Sequence, residues 1–144
     1  MGYLDSLNIT GSALTAERFR TDIILQNLAN QNTTRTAEGG PYRRKQVVFR
    51  ENRIDFKQEL GKAMTKTENG GVFVEEVVEN QNPFVPVYDP DHPDADADGY
   101  VMMPNVDLVK ETVDGMAATR SYEANITAFN AIKMMSQKAL EIGK

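Results

Sequence analysis

The two ends of this chain carry long helical patterns of apolar residues, and the middle does not. One pattern runs over about residues 4–30 and the other over about residues 105–142, with apolar residues at three- and four-residue spacing. At about 1.5 Å per residue, helices of these lengths would extend ~40 Å and ~55 Å. Because long amphipathic helices need neighbours to cover their apolar sides, the pattern indicates subunit assembly rather than a catalytic core.

The N-terminal helical segment contains two adjoining apolar rows. The first has the seven-residue a and d spacing of coiled coils and consists of Leu4, Leu7, Gly11, Leu14, Leu25 and Leu28. The second row consists of Ala13, Ala16, Phe19 and Ile23. A two-stranded coiled coil would keep its seam apolar, but Arg18 and Thr21 interrupt the first row. Two rows therefore predict a helix that contacts more than one neighbour.

The C-terminal segment predicts a single long helix with one broad apolar face. Asn105 follows Pro104 and is a good N-cap, and Asp107 and Glu111 place negative charge near the positive end of the helix. The apolar face consists of Val106, Val109, Val113, Met116, Ala117, Ala124, Ala128, Ala131 and Met135. Burying a large apolar side chain contributes ~1.5–3 kcal/mol, but ordering each backbone residue costs ~1–2 kcal/mol. We therefore expect both ends to be poorly ordered in an isolated chain and to fold when several copies supply neighbours.

The middle region predicts short strands. Residues 47–49 and 72–78 are strand candidates, the second entered through Gly70 and Gly71, and residues 56–64 have the spacing of a short helix. Asn, Gly and Pro residues after Asn30 end the first helix. The predicted fold class is α+β, with long N- and C-terminal helices pairing as a coiled-coil-like layer and a small strand-containing middle region. The predicted regions are residues 1–35, 36–104 and 105–144.

Composition excludes several classes of protein. The chain has 21 acidic and 16 basic residues and a formal charge of −5, whereas nucleic-acid binding needs clustered Lys and Arg. The absence of Cys excludes disulfides and thiolate metal sites. Apolar runs are too short to span a bilayer, and Asp5 and Asn8 interrupt any secretory signal. The one basic cluster, Arg43 to Lys45, indicates a solvated strand end or an intersubunit salt-bridge patch.

An acidic segment supplies the strongest competing hypothesis. Asp94, Asp96, Asp98 and Gly99 match the first positions of an EF-hand loop, but Asn105 stands where the bidentate Glu belongs. An acidic turn leading into the last helix is the favoured interpretation, and a compact calcium-binding or adaptor module is the alternative. His92 is the single histidine and has no G-x-S-x-G partner motif. We therefore expect no enzyme activity, no catalytic or metal-binding residues and no cofactor.

Four motifs resemble those of one family of assembly proteins. LANQNTT at residues 28–34 and RSYEAN at residues 120–125 resemble the terminal signatures of bacterial flagellar rod and hook proteins. GPYRRK at residues 40–45 and VYDPDHPDADADGYVMMPNV at residues 87–106 resemble the C-type proximal-rod subunits of the flagellar basal-body rod family. The resemblance covers essentially the whole chain.

The resemblance implies a structural role in motility. Such proteins leave the cytoplasm through the type III export apparatus of the flagellum, without a cleaved signal, and join the periplasmic rod of the basal body. Their terminal helices surround the export channel, the middle region lies outside, and the rod transmits torque. The implied partners are further copies, other rod subunits, inner-membrane ring or rod-junction proteins and the surrounding bushing. Nucleic acid, membrane insertion and a small-molecule substrate are not expected.

The predicted assembly interface lies on both helical segments. Its members are Leu7, Leu14, Phe19, Ile23, Leu25, Leu28, Asn30, Asn32, Val109, Val113, Met116, Ala117, Tyr122, Ala124, Asn125, Ala128, Ile132 and Met135. Small residues among them would let helices approach closely. Buried amides, with Asn27, Asn30 and Asn125 as candidates, would fix the register between helices.

Overall fold

A computed structural model describes residues 3–52 and 70–142 of the chain. The elements are α1 (Tyr3–Ala29), β1 (Lys45–Glu51), β2 (Val72–Glu79), β3 (Val85–Tyr88), β4 (Tyr100–Met103) and α2 (Leu108–Ile142). Two long terminal helices and a small middle region of strands confirm the predicted α+β class. The short helix predicted over residues 56–64 lies outside the described residues.

The four strands form two separate pairs. At the two ends of the β1–β2 pair, the Asn52 N–H donates to the Gly71 carbonyl at 3.0 Å and the Asn80 N–H donates to the Arg44 carbonyl at 2.8 Å. Because the end of one strand meets the start of the other, β1 and β2 run antiparallel. Strands β3 and β4 are also antiparallel, with Val85 opposite Met103 and Tyr88 opposite Tyr100.

The chain forms two compact units built from separated stretches of sequence. The first unit contains Met1–Phe19, Val48–Glu76 and Ala118–Lys144, and the second contains Arg20–Val47 and Val77–Ala117. Among the described residues of the first unit, the buried apolar ones are small, namely Ala16 and Ala118. No helix within residues 3–52 and 70–142 combines the length and the apolar character needed to cross a membrane.

Two glycines place the start of β2 against α1 in the first unit. Gly70 and Gly71 have φ angles of +84° and +99°, which residues with a side chain rarely adopt. A Cβ atom on Gly71 would lie 2.3 Å from the Ser12 hydroxyl oxygen, so a side chain there would have to displace that hydroxyl. That hydroxyl accepts a hydrogen bond from the Val72 N–H at 3.1 Å. The predicted glycine entry into this strand is confirmed.

The N-cap of α2 differs from the prediction. The Asp107 carboxylate accepts hydrogen bonds from the N–H groups of Val109 at 2.9 Å and Lys110 at 3.2 Å, so the prediction of Asn105 as the cap is wrong. The Asn105 side chain instead accepts from the Arg44 N–H at 2.8 Å and donates to the Asn80 carbonyl at 3.0 Å. The Asn105 amide thus joins other backbone segments, and the helix begins at Leu108, three residues after Asn105.

We expect Asp107→Ala to lower the free energy of unfolding by ~1 kcal/mol, because two N–H groups of α2 lose their acceptor. The measurement is urea denaturation followed by circular dichroism. Asp107→Asn is the matched control: its side-chain oxygen still caps, so most of the stability should remain. Unchanged stability of the Ala variant would contradict the assignment of the cap.

Candidate assembly interface

A buried polar cluster in the second unit joins the end of α1 to the beginning of α2. The polar cluster consists of Asn27, Tyr42, Arg44 and Glu111, all of which are buried. Asn27 lies in the last turns of α1, and Glu111 lies in the first turn of α2. Tyr42 and Arg44 come from the segment that leads into β1. Three stretches that are far apart in sequence therefore meet at one place.

The Asn27 amide is the hub of the hydrogen bonds in this cluster. Its Nδ2 donates to the Glu111 carboxylate at 2.9 Å and to the Lys45 carbonyl at 2.8 Å. Its Oδ1 accepts from the Tyr42 hydroxyl at 2.9 Å and from the Lys45 N–H at 2.9 Å. The side chain thus uses both donor hydrogens and both acceptor positions, as a buried amide must to avoid a desolvation cost. This confirms Asn27 as a buried amide.

A buried ion pair completes the cluster. The Arg44 Nε donates to the Glu111 Oε1, and the Arg44 Nη2 donates to the Asp114 Oδ2 at 3.0 Å. Both Arg44 and Glu111 are shielded from water, whereas Asp114 is partly exposed. Losing one partner of such a pair leaves an uncompensated buried charge, which strongly destabilises a fold. The pair therefore holds the segment before β1 against α2.

The environment of Tyr42 favours its protonated form. Burial, followed by the negative charges of Glu111 and Glu79, raises the pKa of Tyr42 to about 12. A phenolate there would lose water contacts and face two carboxylates. The hydroxyl accordingly remains a hydrogen-bond donor to Asn27 over the physiological pH range.

The polar cluster determines which side of α2 packs against the rest of the second unit. Glu111 and Gly115 lie on the inner side, where a Cβ atom on Gly115 would contact Ile24 at 3.6 Å. On the other side, Val109, Val113 and Met116 are 72%, 59% and 56% exposed. Their spacing of four and three residues forms one outer row along the helix. We call these three residues the α2 outer row.

The structure leaves every predicted interface residue at least partly accessible. The exposed ones are Phe19, Leu25, Asn32, Val109, Val113, Met116, Ala117, Ala124, Ala128 and Met135. The half-buried ones are Leu7, Leu14, Ile23, Leu28, Asn30, Tyr122, Asn125 and Ile132. Their contacts with neighbouring subunits remain a prediction. The Asn30 side chain bonds locally, donating to the Gln26 carbonyl at 2.9 Å and accepting from Thr33 at 3.1 Å.

The basic cluster has a role that the sequence prediction missed. Arg44 is buried against Glu111, so the expectation of a solvated or intersubunit position is wrong for this residue. Arg43 lies over the Phe84 ring at 4.4 Å, and Lys45 lies 5.7 Å from the Tyr42 ring. The local signal that could have indicated burial is the alternation of Tyr42, Arg43 and Arg44 before a strand. It does not identify Glu111 as the partner.

The acidic segment serves as the connection between β3 and β4. The Asp96 carboxylate accepts from the N–H groups of Asp98 at 3.0 Å and Tyr100 at 2.8 Å, and Asp94 accepts from the Thr34 hydroxyl at 2.8 Å. Gly99, with a φ of +79°, closes the turn. Over residues 3–52 and 70–142, no group of three or more acidic or histidine side chains is placed to hold a metal ion. The calcium-binding alternative therefore has no structural support.

Comparison with known proteins gives matches over the whole length of the chain. A family described as "Flagellar basal body rod FlgEFG protein C-terminal" matches residues 97–142. The chain is 50% identical to the flagellar basal-body rod protein FlgC of Bacillus subtilis, with 96% of this chain and 97% of that protein covered. It is 44% identical to FlgC of Escherichia coli O6:H1, with both chains fully covered. It is 42% identical to FlgC of Borreliella burgdorferi, over 99% of this chain and 98% of that protein.

We expect Glu111→Gln to lower the free energy of unfolding by up to ~3–5 kcal/mol, because the buried Arg44 would keep only the partly exposed Asp114 as a charged partner. Urea denaturation provides the measurement. Asp114→Asn is the control, since it removes the more exposed carboxylate from the same guanidinium and should cost clearly less. Equal effects of the two variants would contradict the central place of Glu111.

We expect the fold to lose stability at alkaline pH as Tyr42 is deprotonated. Its pKa is raised in the fold from 10.0 to about 12, so its contribution is complete below pH 10.0 and is lost as the pH rises through about 12. Unfolding at a series of pH values tests this for the unmodified protein and for Tyr42→Phe. The difference in the free energy of unfolding between the unmodified protein and Tyr42→Phe should shrink as the pH rises from 10.0 to about 12. A constant difference would show that Tyr42 does not titrate as described.

Proposed function

This chain belongs to the family of flagellar basal-body rod proteins and is a structural subunit of the rod, and we propose that the outer sides of its terminal helices join neighbouring subunits. The protein is therefore a component of the flagellar basal body. The proposal extends to the proximal rod, in which the helices would enclose the export channel and transmit torque.

The observation that carries the proposal is the contrast between the two sides of α2. Its inner side is occupied by the buried polar cluster, whereas its outer row exposes large apolar side chains. Burying one such side chain contributes ~1.5–3 kcal/mol, so a row of them favours association. Contiguous exposed apolar surface is typical of a protein-protein interface.

The remainder of α2 supports the same proposal. Met134, Met135 and Leu140 are exposed toward its C-terminal end. Ala124 and Ala128 are exposed as well, and their small side chains would let a neighbouring helix approach closely. Head-to-tail contacts that do not close into a ring produce a helical polymer, which is the form that a rod requires.

We propose a structural role without catalysis. The partners in this proposal are further copies of the chain, other rod subunits, inner-membrane ring or rod-junction proteins and the surrounding bushing. Nucleic acid, a small-molecule substrate and insertion into the membrane have no part in it. The acidic surplus of the chain, 21 residues against 16 basic ones, agrees with the exclusion of nucleic acid.

We expect Val113→Glu, placed as the sole copy in the cell, to reduce both swimming and the amount of this subunit in purified basal bodies. A carboxylate in the outer row would have to be buried without a partner between subunits. Thr112→Glu is the matched control, because it places the same charge at the adjacent exposed position of α2. Equal motility in the two variants would contradict the use of the outer row.

Deletion of the whole chain tests the proposed function directly. We expect cells that lack it to have no complete rods or hooks and not to swim, because a structural subunit would be missing from the shaft. Electron microscopy of basal bodies and a swimming assay measure this. Complete rods and normal swimming in the deletion strain would contradict the proposal.

A further inference from the structure

The β3–β4 hairpin presents an apolar and aromatic face to the outside. Directly opposite residues of an antiparallel pair lie on the same face, so Pro86 and Met102 share a face with Tyr88 and Tyr100. The two tyrosine rings meet edge to face with centroids 5.4 Å apart. Tyr88 is 65% exposed and Met102 is 45% exposed. We call these four residues the hairpin face.

The surroundings of the hairpin face are strongly acidic. The connection between β3 and β4 exposes Asp89, Asp91, Asp96 and Asp98. Arg35 pairs with Asp94 of this connection at 3.7 Å. Residues 81–109 contain neither Lys nor Arg, so no cation of this stretch compensates the four exposed Asp residues. Two hairpin faces brought together would place like charges side by side, which disfavours their pairing. The charge instead fits a partner surface that combines apolar side chains with a cation.

The α2 outer row, together with the adjacent Lys110, combines apolar side chains with a cation. Lys110 is exposed beside Val109 and Val113 at the start of the helix. The nearby carboxylates of Glu111 and Asp114 both bind Arg44, and the Asp107 carboxylate caps the helix. In the described part of the chain, Lys110 has no ion-pair partner. Its charge is thus available to a carboxylate of another molecule.

We propose that the hairpin face of one copy packs against the α2 outer row of the next copy in the rod. The inference rests on the proposed function, since it states which two surfaces of a rod subunit meet. Tyr and Met side chains are enriched in such interfaces, and the Asp residues beside the hairpin face complement Lys110. The two surfaces are different and lie on the same unit, so the contact is head-to-tail. Repetition of such a contact gives an open helical rod when the rotation between copies does not close a ring.

Engineered cysteines test this pairing, because the natural chain has none. Rods are isolated from cells whose only copy carries Met102→Cys and Met116→Cys, and they are treated with a short bismaleimide. Each copy would link to the next, giving a ladder of covalent multimers. Either single variant should give no multimers. Met102→Cys combined with Met134→Cys is the matched control, with another exposed methionine of α2, and should give none.

The outcomes separate the pairing from the proposed function. A ladder from the first double variant alone supports the pairing. Dimers from Met102→Cys alone, or rods that contain the double variant without a ladder, overturn it while the proposed function stands. Absence of the unmodified chain from isolated rods overturns the proposed function itself.

Charge reversal gives a second test that needs no chemical linker. We expect Lys110→Glu to reduce incorporation into rods several-fold, because the new carboxylate would face the acidic hairpin of the next copy. Asp98→Lys in the same chain should restore incorporation. Lys133→Glu, at an exposed position elsewhere on α2, is the control and should incorporate normally. Normal incorporation of Lys110→Glu, or no restoration by Asp98→Lys, would overturn the pairing.

Discussion

The ion pair between Arg44 and Glu111, together with the Asn27 amide, is the interaction on which the second unit depends. It connects the end of α1, the segment before β1 and the first turn of α2. Because buried charges must keep their partners, Glu111 can point only toward Arg44. The position of Glu111 then determines the rotation of α2, with Gly115 inward and Val109, Val113 and Met116 outward. An intramolecular ion pair thereby determines which apolar side chains are exposed for the proposed contact between subunits.

A cluster of this kind favours specificity over stability. Apolar residues of similar size often stabilise a fold as much as a buried ion pair does. The Arg44 Nη1 is buried without a hydrogen bond to any residue that the structure describes, which adds a cost. In return, a buried Asn with four hydrogen bonds permits one register between helices, as buried Asn does in coiled coils. For a rod subunit, a defined outer surface matters more than the greatest stability, since neighbours add their own stabilisation.

The sequence predicts those features that a local repeat encodes. The three- and four-residue spacing of apolar residues gave both terminal helices, and Gly70 and Gly71 gave the entry into β2. It did not predict the partner of Arg44, because Glu111 lies 67 residues away and such a pair leaves no local pattern. It also placed the N-cap at Asn105 instead of Asp107, since both residue types cap helices and they stand close together. The sequence did predict Val109, Val113 and Met116 as interface residues, but only the tertiary contacts show that Glu111 and Gly115 lie on the inner side of α2.

The polar cluster acts within one copy, whereas we propose that the α2 outer row acts between copies. The most direct measurement is a density map of isolated rods at a resolution that shows side chains. We expect Arg44 to be paired with Glu111 of the same copy, and Val113 and Met116 to be covered by a neighbouring subunit. An outer row facing solvent in the rod, or Arg44 paired with a carboxylate of a different copy, would contradict it.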